Sequence, residues 1–140
     1  MIRLVAAAAL ALGGCSAPEP APGPATGDRP TIVSLNPCAD AILAEVTAPG
    51  QLLAISHYSK DPRASSMEPD DAARYDATGG TVEEVLALDP DVVVASSFIG
   101  PATRAALTDF GIAVETVGSV GSVADSVAQV RELAALTGDK

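Results

Sequence analysis

At 140 residues, with 48% hydrophobic side chains and a mean hydropathy of +0.31, the chain suits one compact domain and is too apolar to be disordered. A formal charge of −10 argues against nucleic acid or an anionic membrane surface as a partner, because Lys and Arg would have to neutralise the phosphates. Aromatic residues make up only 3%, so the core must come from Ala, Val, Leu and Ile, and Tyr58 and Phe98 gain interest wherever they stand exposed.

Residues 1–14 (MIRLVAAAALALGG) carry a basic residue, an apolar run too short to span a bilayer, and then small residues. This is the pattern of a secretory signal peptide. It closes as Leu12-Gly13-Gly14-Cys15, which resembles a bacterial lipobox, so Cys15 is expected to become a lipidated mature N-terminus. Ordinary export with cleavage nearby and a retained apolar anchor are the competing readings. Residues 15–30 are Pro-rich and poor in apolar side chains, which predicts an extended tether rather than packed structure. With Cys15 acylated, Cys38 is the one thiol left in the sequence. It stands either as a helix-start thiol open to activation by the dipole or as a small half-buried residue.

From Thr31 onward, apolar runs alternate with helical patterns. Thr31 to Leu35 reads as a strand, Pro37 to Val46 as a helix with Ile42, Leu43 and Val46 on one face, and Leu52 to Ser56 as a second strand. Asn36 suits the cap of that helix and Pro37 its first position, where the missing amide hydrogen costs nothing. His57 to Gly80 is polar and irregular, with one helical turn near Pro69 to Arg74. Thr81-Val82-Glu83-Glu84 is a capping box that opens a helix to Leu88, stopped by Asp89-Pro90. Asp91 to Ala95 is a nearly continuous apolar run, as expected for an interior strand covered on both faces. A helix from Pro101 to Asp109, a left-handed stop at Gly111 and a strand from Ile112 to Val117 follow. Ser122 caps a final helix through Leu136, with apolar residues at 123, 127, 130, 133, 134 and 136. The order predicts an α/β, Rossmann-like parallel sheet of about four strands with helices on both faces.

Ligands of such sheets bind at the carboxyl ends of the strands. Those ends are Asn36-Pro37-Cys38, Ser56-His57-Tyr58-Ser59, Ser96-Ser97-Phe98-Ile99 and Val117-Gly118-Ser119-Val120. Both Tyr58 and Phe98 fall on them, which favours a ligand with apolar or planar surface. One histidine and two cysteines cannot build a three-ligand metal site without carboxylates, which argues against a binder of bare zinc or manganese. His57 is then a loop histidine or an axial ligand to a metal already held in a macrocycle. No G-x-S-x-G follows a strand, and Gly118-Ser119-Val120-Gly121 lacks the rest of a phosphate-binding fingerprint, so neither catalysis nor nucleotide binding is indicated. Glu84 is engaged by the capping geometry, and Glu83 points outward as a surface acid with no partner in the sequence.

The segments RPTIVSLNPCADAILAEV, LLAISHYSKDP and GGTVEEVLALDPDVVVAS resemble the substrate-binding proteins of ABC importers for vitamin B12, iron-siderophores and haem. The most specific element is Gly79-x-x-x-Glu83-x-Val85-x-x-Leu88-x-Pro90-Asp91-x-Val93. The resemblance covers Arg29 to Gly138 and implies that residues 31–140 are the amino-terminal lobe of a two-lobed periplasmic binding domain, ending in the inter-lobe helix of a truncated chain. It implies an extracytoplasmic, lipid-anchored carrier, with no catalytic role and no cofactor of its own, that delivers a metal chelate to an ABC permease. Ligand contacts are implied at Asn36, Pro37, Cys38, Ser56, His57, Tyr58, Ser97 and Phe98, with Ser56-His57-Tyr58 matching a Ser-x-Tyr that touches the corrin in cobalamin binders. Glu83 matches an acid that docks an arginine of the permease. A corrinoid is the favoured ligand, an iron-siderophore or haem the alternative, and an extracytoplasmic interaction lipoprotein the further one.

Overall fold

The computed structural model describes residues 29–138. The expected signal peptide, the lipidation site Cys15 and the tether as far as residue 28 lie outside the described residues.

Ten elements follow in chain order. They are β1 (Ile32–Ser34), α1 (Pro37–Val46), β2 (Leu52–Ser56), α2 (Pro69–Ala73), β3 (Asp76–Thr78), α3 (Val82–Leu88), β4 (Val92–Ser96), α4 (Pro101–Asp109), β5 (Ala113–Val117) and α5 (Val123–Leu136). A 3-10 turn, His57–Lys60, leaves β2 directly. All strand pairings are parallel, in the order β3-β2-β1-β4-β5. The chain moves from β1 to β2 on one side and returns to place β4 on the other. The carboxyl ends of β1 and β4 therefore form the topological switch point, where such sheets open a crevice.

The sheet has five strands rather than about four. The additional one, β3, lies at the edge and pairs with β2 through Ala54 and Asp76, Ile55 and Ala77, and Ser56 and Thr78. Its three residues bury one side chain, Thr78, too little for an alternating pattern to stand out from the polar stretch around it.

Alternate strand residues feed two cores. Ile32, Ile55, Val92 and Val94 pack with Ala39 and Leu43 of α1 and Leu133 of α5 on one face. Val33, Ala54, Val93 and Ala95 pack with Val85 of α3 and Leu107 of α4 on the other. Ile32, Val33, Val93 and Val94 are wholly buried, each stabilising the fold by about 1.5–3 kcal/mol in area terms. This is why β4 reads as an unbroken apolar run. The stripe on α5 behaves unevenly: Leu133 is buried, whereas Val123 stays 82% exposed. Gly111 takes φ +86° at the end of α4, the left-handed geometry expected there.

Candidate ligand-binding cleft

The strand-to-helix turn after β1 builds the first wall. The Asn36 side chain accepts a hydrogen bond from the Cys38 amide at 2.9 Å, and Pro37 occupies the first helical position. The turn is rigid because the cap satisfies one of the orphan amides of α1 and the proline ring fixes the next φ. Cys38 is left exposed at the mouth rather than packed behind it.

The second wall leaves β2. The Ser56 hydroxyl accepts from the Tyr58 amide at 3.3 Å, which starts the 3-10 turn. The His57 and Tyr58 rings lie 4.0 Å apart, tilted by 36°. Nδ1 of His57 lies 3.3 Å from the Thr78 carbonyl, which can only accept, so a hydrogen bond there is donated by Nδ1. Tyr58 is 56% exposed although aromatic residues are scarce in the chain.

Between these walls opens a cavity of about 660 Å³. Leu35, Asn36, Pro37 and Cys38 line one side, and Tyr58 and Ala64 another. Ser96 and the loop Val117 to Val120 close the third side, with Gln129 of α5 behind them. The amide of Gln129 donates to the Gly118 carbonyl at 3.0 Å and so fixes that loop. Most of the lining is apolar or backbone, with hydroxyl, amide and thiol groups at separate points, the composition of a small-molecule site.

The eight residues implied by the resemblance divide in two. Asn36, Pro37, Cys38 and Tyr58 line the cavity. Ser56 is buried and holds the turn, and His57 stands on the exposed side of that turn against Thr78. Ser97 and Phe98 are exposed on the loop after β4, beyond the lining, where the Ser96 hydroxyl accepts from the Phe98 amide at 3.1 Å. Phe98 is 85% exposed. The lining adds Leu35, Ala64, Ser96, Gln129 and the loop after β5. That loop was visible as a strand end, whereas Ala64 and Gln129 carried no local signal.

Away from the cleft, the capping box of α3 forms as the sequence predicts. Thr81 Oγ1 accepts from the Glu84 amide at 3.2 Å, and the Glu84 carboxylate accepts from the Thr81 amide at 3.3 Å. Glu84 is held below the usual carboxylate value by that amide and by the Thr78 hydroxyl. Glu83 is exposed in the first turn, and its carboxylate makes no hydrogen bond or ion pair among the described residues.

A buried carboxylate lies behind the cleft. Asp40, in the first turn of α1, has no exposed surface. Its Oδ2 accepts from the Ser56 amide at 2.9 Å and from the Ser59 hydroxyl at 2.6 Å. Burial lifts its pKa from 3.8 to about 6, opposed by hydrogen bonds from the Ser34 and Ser59 hydroxyls and the Ser56 amide.

In parallel α/β sheets, the crevice at the switch point is where small-molecule ligands bind. Residues 32–140 match the model of the periplasmic binding protein family, and the chain belongs to that family. Its members are binding proteins, and a periplasmic location goes with membership. No curated protein matches the chain.

Similar solved structures include the periplasmic haem-binding protein HutB of Vibrio cholerae, with TM-score 0.62 and 19% identity over 78% of this chain and 41% of that one. The vitamin B12-binding protein BtuF of Vibrio cholerae follows with TM-score 0.56 and 23% identity over 78% of this chain and 42% of that one. Helicobacter pylori CeuE, in a complex with nickel and histidine, aligns with TM-score 0.57 and 19% identity over 79% of this chain and 37% of that one. At these identities the likeness is one of fold. The chain spans about two fifths of the length of these structures.

Proposed function

We propose that this chain is the amino-terminal lobe of the substrate-binding component of an ABC importer, capturing a corrinoid or a related metal chelate. The observation that carries the reading is the cavity at the β1/β4 switch point, walled by the capped turn at Asn36-Pro37-Cys38 and by Tyr58. An apolar wall with an exposed aromatic ring suits the face of a large planar chelate better than a polyanion, which would call for an arginine cluster. Glu83 is the permease contact in this reading, since it is exposed and its carboxylate engages nothing among the described residues. Cys15 carries the lipid that tethers the lobe through residues 16–30.

Haem and an iron-siderophore are the alternatives, and both rest on family membership; His57 stands outside the cavity lining, against the Thr78 carbonyl.

Calorimetric titration of the full-length protein with cyanocobalamin, haemin and ferric siderophores tests the ligand class. Micromolar or tighter binding of one of them is expected, and binding of none overturns the reading. A Glu83→Ala variant should keep ligand affinity and lose uptake in cells; lost affinity with normal uptake contradicts the docking role. Metabolic labelling with a radioactive fatty acid should mark the wild-type chain and miss a Cys15→Ser variant.

A further inference from the structure

We propose that Asp40 is a positioning residue of the cleft: one oxygen of its carboxylate holds both wall segments that carry Tyr58 and Ala64. This deepens the ligand-binding reading above and rests on it.

The hydrogen-bond directions carry the argument. Asp40 Oδ2 accepts from the Ser56 amide at 2.9 Å, and the Ser56 hydroxyl accepts in turn from the Tyr58 amide at 3.3 Å. The Ser59 hydroxyl donates to the same Oδ2 at 2.6 Å. Ser59 Oγ also accepts from the Ser65 hydroxyl at 3.4 Å, and Ser65 Oγ accepts from the Met67 amide at 3.1 Å. Donors thus run from Met67 through Ser65 and Ser59 to a single acceptor. The segment joined this way includes Ala64, and the other branch holds Tyr58. Both line the cavity.

The carboxylate serves the fold poorly. It is wholly buried, and burial raises its pKa to about 6 against the hydrogen bonds it accepts. Such a group is costly where an apolar side chain would fill the same space. What Oδ2 holds are the segment leaving β2 and the loop beyond it, so the cost falls where the wall has to be shaped. Local departures from a well-satisfied interior concentrate at sites of function for this reason.

The test uses the full-length protein labelled with 3-fluorotyrosine, with Tyr58→Phe and Tyr75→Phe variants assigning the resonances of the two tyrosines in this sequence. In Asp40→Ala, the Tyr58 resonance should shift or broaden by more than that of Tyr75. The affinity of whichever of haemin and cyanocobalamin binds the wild type more tightly should fall about tenfold or more. Asp40→Asn keeps an acceptor oxygen and should restore the Tyr58 resonance and bring affinity back to within a few-fold. An unchanged Tyr58 resonance with unchanged affinity in Asp40→Ala overturns the proposal, as does an Asn variant as damaged as the Ala variant. If Asp40→Ala does not fold, Ser59→Ala removes one donor and should move the Tyr58 resonance in the same direction by less; no movement overturns the proposal. If neither probe binds the wild type, the ligand reading fails, and the fluorine spectra still decide the role of Asp40.

Discussion

The two ends of the sheet each bury one large polar side chain completely, Gln51 at the amino end and Asp40 at the carboxyl end, and treat it differently. Gln51 is well satisfied: its oxygen accepts from the Ala48 amide at 3.0 Å, and its nitrogen donates to the Pro30 and Thr137 carbonyls at 2.9 Å each. It ties the entry to β1, the start of β2 and the end of α5 into one knot. Nearby, Thr31 and Asp91 exchange amide, hydroxyl and carboxylate hydrogen bonds across the starts of β1 and β4. Asp40 carries a raised pKa beside an open cavity, its burial only partly offset by Ser34, Ser56 and Ser59. One end is a scaffold whose polar groups are matched internally. The other accepts a costly buried carboxylate beside an open cavity, which is where a ligand would complete the contacts.

Substitutions that separate the two ends sharpen this contrast. The largest effect should come from Gln51→Leu, which strands the Ala48 amide and the Pro30 and Thr137 carbonyls. Urea unfolding should register a loss of about 2–4 kcal/mol with ligand affinity unaltered once the variant is folded. Lost affinity in a folded Gln51→Leu protein would break the contrast.

Next comes the pH dependence of Asp40. Its pKa is 3.8 when unfolded and about 6 when folded, so between those values the native chain holds a proton that the unfolded chain has released. Stability from this group is full below 3.8 and is lost as pH rises through about 6, by up to about 3 kcal/mol. Glu84 and Asp91, whose values are lowered, work in the opposite direction. The difference between wild type and Asp40→Asn isolates the effect: measured by urea at pH 4 and pH 7.5, the wild type should lose ground to the variant at the higher pH. A constant difference contradicts it.

Smaller again is Thr81→Ala, which removes the capping box of α3 and should cost about 1 kcal/mol by thermal unfolding without altering ligand affinity. The smallest stability change belongs to Phe98→Ala, within about 0.5 kcal/mol because the ring is 85% exposed. Its affinity for a bound chelate should nevertheless fall if the ring covers the ligand.

Much of this architecture was legible in the sequence for identifiable reasons. Asn36-Pro37, Thr81 with Glu84, Pro101 and Ser122 are strong start signals, and the helices they open lie where expected. The apolar run before Ser96 announced an interior strand because both of its faces are covered. β3 was missed because its one buried residue, Thr78, sits in a polar segment and its register comes from β2 rather than from its own pattern. The cleft was half legible. Strand ends located Asn36 to Cys38 and Tyr58, while Ala64 and Gln129 reach the cavity only through tertiary packing. Asp40 gave no signal, since an acid in a first helical turn reads as dipole compensation and its burial depends on the turn that folds over it.

The central claim is that ligand binds at the carboxyl ends of the strands and leaves the amino ends untouched. Amide chemical-shift mapping of the full-length protein with cyanocobalamin, and with gallium protoporphyrin as a diamagnetic haem surrogate, tests it most directly. The account predicts perturbation at Asn36, Cys38, Tyr58, Ala64, Ser96 and Gly118 to Val120, with Thr31, Gln51 and Asp91 unmoved. Perturbation centred instead on the cavity of about 430 Å³ bordered by Ala44, Thr47, Gly50, Arg74 and Tyr75, or none anywhere at saturating ligand, would contradict it.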